Sequence, residues 1–143
     1  MLQRSVEFTI PGEPYGKPSV RTTKNGFTYM DRKATAYWDM MVKEFRKQCP
    51  DVIRWERRVP LRLTIRAYYG IRESASKKEK QAMLEQRIRP TKTPDWDNIG
   101  KMVCDGLNGI AWYDDAQIVH GETIKRYSTD PRVEITITEV SEE

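Results

Sequence analysis

Histidine occurs once, at His120, and cysteine only twice, at Cys49 and Cys104, in a chain of 143 residues. The two cysteines lie far apart and make no metal-ligand pair, which speaks against a structural zinc site. No apolar run approaches the roughly 20 residues that a bilayer crossing needs, so no membrane partner is expected. The first residues, Met1-Leu2-Gln3-Arg4-Ser5-Val6-Glu7, hold no apolar stretch and no cleavage signature of an export signal. The cysteines are then expected as reduced thiols in a cytoplasmic protein, behaving as small buried hydrophobes. A Gly-rich phosphate cradle of the P-loop type is missing, as are internal repeats and low-complexity tracts. The length leaves room for a single domain spanning residues 1–143.

Hydrophobic residues make up 38% and charged residues 32% of the chain, a balance that fits a globular protein. The net charge of +4 hides an uneven distribution. Residues 1–93 carry 21 Lys+Arg against 10 Asp+Glu, a net of +11, whereas residues 94–143 carry 4 against 11, a net of −7. A basic body joined to an acidic segment suits a protein that grips a polyanion while presenting carboxylates to it. Carboxylate and phosphate repel unless a cation lies between them, so the pattern points to a metal. The plain alternative is a solvated surface whose charges are sorted without purpose.

Val6, Phe8 and Ile10 alternate with polar neighbours, the period of a half-buried strand that Pro11-Gly12-Glu13-Pro14 ends. Asn25-Gly26, between Thr22-Thr23 and Thr28-Tyr29, signals a hairpin. Ala34, Trp38, Met41 and Phe45 recur at spacings of four, three and four, one face of a helix over 34–48 that Cys49-Pro50 stops. Leu61, Leu63, Ile65, Ala67 and Tyr69 give the clearest strand, with Arg62 and Arg66 on its other face. Ser76-Lys77-Lys78-Glu79 is a capping box opening a short, peripheral helix to about Arg87. Ile99, Met102, Val103, Gly106 and Leu107 form the buried side of a helix that Asn108-Gly109 closes. Two strands, 117–127 and 132–139, finish the chain around a turn at Ser128-Thr129-Asp130-Pro131. Strands at both ends with helices between them predict an α+β two-layer sandwich, a mixed β-sheet with helices packed on it.

Five aspartates and one lysine gather between Asp95 and Asp115. Asp95 and Asp97 sit where a helix begins, and there the free amides and the helix dipole favour ionised carboxylates. Asp97, Lys101 and Asp105 follow at intervals of four and stack on one face, away from the Ile99, Met102, Val103 side. Carboxylates without histidine or cysteine suit a hard cation such as Mg²⁺. Such an ion neutralises a phosphate, acidifies a bound water and steadies a leaving oxygen. Lys101, one turn beyond Asp97, is placed to stabilise the added charge of a phosphoryl transition state. The competing reading is structural: Asp95 or Asp97 caps the helix, Lys101 bridges Asp97 and Asp105, and Asp114-Asp115 is a turn.

The stretch Pro94-Asp95-Trp96-Asp97-Asn98-Ile99-Gly100-Lys101, followed by Asp105-Gly106-Leu107-Asn108-Gly109 and Trp112-Tyr113-Asp114-Asp115-Ala116-Gln117-Ile118, resembles the RusA family of Holliday-junction resolvases. The segment Phe8-Thr9-Ile10-Pro11-Gly12-Glu13-Pro14-Tyr15-Gly16-Lys17 is similar to family members as well. The likeness covers most of the chain and is weakest between Gln48 and Arg89. It implies a RusA-like fold and an acidic metal site of Asp95, Asp97 and Asp115, with Asp114 as the alternative to Asp115. It implies Lys101 as the catalytic lysine and Mg²⁺ as cofactor, with Mn²⁺ able to substitute. The implied activity is resolution of four-way junctions by paired nicks, carried out by a homodimer. Dimerisation also has a physical motive: a four-way junction is two-fold symmetric, and a two-fold dimer sets one site on each of two equivalent strands.

For branched DNA, Lys17, Arg21, Arg32 and Lys33, with Lys24, Tyr15 and Tyr29 nearby, form the expected phosphate-gripping surface. Trp38, Trp55 and Trp112 are expected in a core or interface rather than as stacking platforms. His120 is expected to take no part in catalysis. The alternative to an enzyme is a non-catalytic branched-DNA-binding module in which the aspartates only cap and bridge.

Overall fold

The computed structural model describes residues 4–17, 21–22, 24, 28–29 and 32–140. In chain order it contains strand β1 (Ser5–Pro11), the short strands β2 (Arg21–Thr22) and β3 (Thr28–Tyr29), and helix α1 (Arg32–Gln48). Strand β4 (Leu61–Gly70), helices α2 (Lys77–Leu84) and α3 (Trp96–Leu107), and strands β5 (Ile118–Ser128) and β6 (Arg132–Glu139) follow. A 3₁₀ turn at Asp115–Gln117 leads into β5. The arrangement is α+β, as the order of patterned segments predicts.

The main sheet has the order β1-β6-β4-β5 and is mixed. β6 lies antiparallel to both β1 and β4, while β4 and β5 run parallel. A parallel pair needs a long crossover, and the α2–α3 stretch supplies it. β5 and β6 follow each other within a few residues yet flank β4 on opposite sides, so the Ser128–Pro131 link passes over the end of β4. There Glu13 accepts hydrogen bonds from the Gly70 amide, at 3.0 and 3.2 Å, and fastens the chain after β1 to the same strand end.

Alternation puts Phe8, Ile10, Leu61, Leu63, Ile65, Ala67, Val133, Ile135 and Ile137 on one face of the sheet, all buried. Met41 and Phe45 of α1 and Ile99, Met102, Val103 and Leu107 of α3 join them in one core. Phe8 and Phe45 meet edge-on at 5.3 Å. The two helices cross closely: a Cβ on Gly106 would lie 2.7 Å from Met41 Sδ and 2.9 Å from Trp38 Cδ1, so a larger residue would have to displace those side chains. Trp55 and Trp112 are fully buried, whereas Trp38 is half-buried and donates its indole N–H to Met102 O at 3.1 Å. Cys49 is buried, Cys104 half-buried, and both are free thiols.

Some boundaries differ from expectation. α1 begins at Arg32, two residues before Ala34, and its buried stripe takes Tyr37 in place of Trp38. The capping box forms as predicted, with Ser76 Oγ accepting from the Glu79 amide. α2 nevertheless ends at Leu84 rather than Arg87, because Gln86 takes a left-handed φ of 60°. Gln117 belongs to the 3₁₀ turn, not to β5. β2 and β3 pair antiparallel, Arg21 with Tyr29 and Thr22 with Thr28, while the Asn25-Gly26 turn lies outside the described residues.

Both outer edges of the sheet are closed by a glutamine amide. Gln48 accepts from Thr9 N at 2.8 Å and donates to Thr9 O at 2.7 Å on β1. Gln86 does the same for Tyr127 on β5, at 3.1 and 2.9 Å. Each amide mimics a neighbouring strand and blocks the edge there from pairing with another chain.

Candidate active site

The chain approaches α3 through a clamped turn. The Thr93–Pro94 peptide is cis, and Tyr69 donates its hydroxyl to Pro94 O at 2.6 Å. From the other side the loop after β1 presses in: the Lys17 amide donates to Asn98 O at 3.0 Å. A Cβ on Gly16 would fall 2.5 Å from Pro94 Cβ, so only glycine permits that approach.

Asp95 is the N-cap of α3 by position, with extended φ and ψ of −72° and 153°, but its side chain makes no capping bond. Its carboxylate is exposed, as is that of Asp97 in the first turn. Lys101 Nζ lies 3.7 Å from Asp97 Oδ2, an exposed pair of small energetic weight. Asp105, one turn further, is held not by Lys101 but by Lys17, whose Nζ sits 2.7 Å from Oδ2. Lys17, expected among the phosphate contacts, thus ties the β1 loop to α3.

The Asp114–Asp115 pair divides its roles. Asp114 caps the 3₁₀ turn, its Oδ1 accepting from the Ala116 amide at 3.0 Å. Asp115 turns toward α3 and accepts from the indole N–H of Trp112 at 2.8 Å. Burial raises the Asp115 carboxyl above its ordinary range; the Trp112 bond opposes this, and the charges of Asp105 and Asp114 reinforce it. Cys104 beside it is pushed up to about 12, chiefly by burial and then by Asp115 and Asp105, so the thiol stays protonated at neutral pH.

A cavity of about 380 Å³ opens between α3 and β5, and Asp97, Lys101, Asp105 and Asp115 all line it. Glu122 of β5 borders it, but its carboxylate lies on the other face of the sheet, where Thr64 Oγ1 is 3.5 Å from Oε1. Asp95 and Asp114 are not among its walls, and exposed His120 is not either. Among the described residues no three acidic, histidine or cysteine side chains converge closely enough to enclose an ion. The donor chemistry fits a hard cation all the same, since the ionised groups offered are carboxylates and the thiol in the wall, Cys104, stays protonated. Mg²⁺ is commonly held by one or two carboxylates, with waters and substrate phosphates completing the shell.

Of the other expected DNA contacts, Arg32 and Lys33 are exposed at the start of α1. The backbone of Arg21 lies in β2, and its side chain is outside the described residues. Tyr15, expected near that surface, stacks on Tyr37 at 5.4 Å.

Residues 11–138 match the family described as Endodeoxyribonuclease RusA. The chain belongs to this family. RusA-family enzymes are endodeoxyribonucleases, hydrolases acting on branched DNA junctions and generally dependent on a divalent metal. The chain is also 35% identical over 141 residues to the uncharacterized protein YqaN of Bacillus subtilis (strain 168), covering 95% of this chain and 97% of that one. The RusA match spans both cavity walls, α3 and the start of β5.

Proposed function

We propose that this RusA-family protein is a Mg²⁺-dependent resolvase that cuts four-way DNA junctions by paired symmetric nicks, working as a homodimer in the cytoplasm. The observation that carries this reading is the half-buried Asp115, made reluctant to ionise by burial and neighbouring acids, in one cavity with Asp97 and Lys101. Such concentrated negative charge is relieved by a cation. Asp97 and Asp115 are the proposed ligands from the cavity, and Asp95, at the helix cap outside its walls, is proposed as a third. Asp114 is occupied as a cap and is left out of the set. Mn²⁺ is expected to substitute. When bound, the ion neutralises the scissile phosphate, acidifies a water and stabilises the leaving oxygen.

The protein's own groups do the positioning. The Trp112 indole fixes one oxygen of Asp115 and leaves the other for the cavity. Lys101 holds an ammonium beside the Asp97 carboxylate, where it meets a non-bridging phosphate oxygen as charge builds. Arg21, Arg32 and Lys33 are proposed to contact backbone phosphates, while Lys17 keeps α3 in place through Asp105.

Incubation with a synthetic four-way junction, a linear duplex of the same sequence and Mg²⁺ tests the reading. Symmetric nicks confined to the junction are expected. Binding without any cutting would instead make the protein a branched-DNA-binding module, in keeping with the absence of a three-acid cluster among the described residues. Lys101→Ala is expected to slow single-turnover cutting by about 10²–10³ with little change in junction affinity, the loss typical of one donor to transition-state charge. An unchanged rate would leave Lys101 only its contact with Asp97.

A further inference from the structure

Strand β5 is one of the two edges of the main sheet, and cationic groups stand near both of its ends. At about 3.3 Å per residue its eleven residues extend for roughly 35 Å. At its beginning, beside exposed Val119, a second cavity of about 440 Å³ is lined by Arg57, Arg58 and Tyr113, with the capping Asp114 also in its wall. Arg57 lies 4.6 Å and Arg54 3.8 Å from the centre of the Tyr113 ring, contacts that leave each guanidinium its charge. In the middle, Gly121, Glu122 and Thr123 border the acidic cavity. Toward its end Lys125 donates to Lys92 O at 2.7 Å, and both ammonium groups face Tyr69, at 5.1 and 6.0 Å.

None of Arg57, Arg58, Lys92 and Lys125 has a carboxylate within ion-pair distance among the described residues. Lys17, Arg72, Arg87 and Arg132, by contrast, are all paired. Unpaired cations thus stand on both sides of the acidic cavity, along one line. The Gln86 amide already occupies the backbone edge at Tyr127, which disfavours a second protein strand there.

We propose that the backbone of the cut DNA strand follows β5, gripped before the cavity by Arg57 and Arg58 and beyond it by Lys92 and Lys125. This rests on the cavity being the place of cutting, and it accounts for how phosphate is brought against carboxylates that repel it. Arg57, stacked on Tyr113, and Lys125, anchored on a carbonyl, are held in place before DNA arrives, so less side-chain freedom is lost there on binding.

The test is junction binding without divalent ions over a range of salt concentrations, for the wild type and two double variants, Arg57→Gln/Arg58→Asn and Lys92→Gln/Lys125→Gln. Asparagine suits position 58 because Arg58 has a left-handed φ of 71°. Each lost phosphate contact lowers the slope of log K against log salt by about 0.9, so each double variant is expected to lose between about one and two units. Affinity should fall on the order of tenfold, and the charge-keeping Arg57→Lys/Arg58→Lys should recover the slope. Slopes equal to wild type in both double variants, with melting showing them folded, would overturn the proposal. So would a loss that lysine does not recover. If a double variant does not fold, Arg58→Asn and Lys92→Gln alone decide by the same slope. Wild-type protein that binds the junction but never cuts it overturns the resolvase reading, and the slopes still judge the track separately.

Discussion

Asp115→Asn is expected to reduce junction cutting by about a thousandfold or more, to leave junction binding as tight or tighter, and to raise the melting temperature. The first effect follows from the role of a metal ligand, because a bound divalent ion supplies several kcal/mol to phosphodiester hydrolysis and about 1.4 kcal/mol is tenfold in rate. The second follows from charge: the amide keeps the shape and removes a repulsion against phosphate. The third follows from the raised pKa of Asp115, with burial as its largest cause. A carboxyl whose folded pKa exceeds its unfolded value costs stability above the folded pKa and costs nothing below the unfolded one. The melting gain should therefore be present at neutral pH and close as pH falls through the carboxylate range. Asp97→Asn should abolish cutting equally with no gain in melting temperature, since that side chain is exposed. Gel-based cleavage, junction titration and calorimetry at two pH values check all three. Binding that falls in step with activity would make Asp115 a folding residue.

The elements were legible where a single period dominates. Strands β1, β4 and β6 and the buried side of α3 follow from alternation and from three-four spacing, because burial on one face imposes that period. The sheet order was not legible. Insertion of β4 between β5 and β6 is decided by contacts far apart in sequence, and the short Ser128–Pro131 link reads locally like any turn. The stop of α2 was also hidden: Glu85-Gln86-Arg87 contains no glycine, yet Gln86 adopts the left-handed conformation and the Arg87 and Ile88 amides return to Ala82 O. In α1 both Tyr37 and Trp38 satisfy helical spacing. Tyr37 goes inside against Tyr15, while the Trp38 indole reaches a carbonyl of α3 and stays half-exposed.

In the site, spacing placed Asp97, Lys101 and Asp105 on one helix face, and they do share a cavity wall. It gave no means of telling Asp114 from Asp115, because Asp114 caps a 3₁₀ turn that has no periodic signature while Asp115 lines the cavity. Nor did it show that Lys17, 88 positions from Asp105, would be its partner. The bridging glutamines Gln48, Gln86 and Gln117 were invisible for a related reason: their partners are backbone groups, which any sequence possesses.

Of these glutamines Gln117 should be the most costly to lose, with Gln117→Leu expected to destabilise the fold by about 3–5 kcal/mol. Its side chain is buried and uses its full capacity on backbone. Oε1 accepts from the amides of Tyr113 and Asp114, at 2.9 and 3.1 Å. Nε2 donates to Glu56 O and Val59 O, at 2.8 and 3.2 Å. Leucine has similar bulk but leaves those four groups without their partner, at about 1–3 kcal/mol for each one that water does not reach. The same bonds join the segment carrying Arg57 and Arg58 to the turn carrying Asp115. Loosening them should therefore also lower cutting at temperatures where the variant is still folded. Gln117→Glu separates the two contributions. It keeps the acceptor for Tyr113 and Asp114 but sets oxygen against the Glu56 and Val59 carbonyls, so it should cost stability comparably while holding the Asp115 turn more nearly in place. Denaturant melts of both variants, with single-turnover cutting well below their midpoints, are the measurements. A leucine variant as stable as wild type would mean that water replaces the amide at all four positions and that Gln117 does not hold the two segments together.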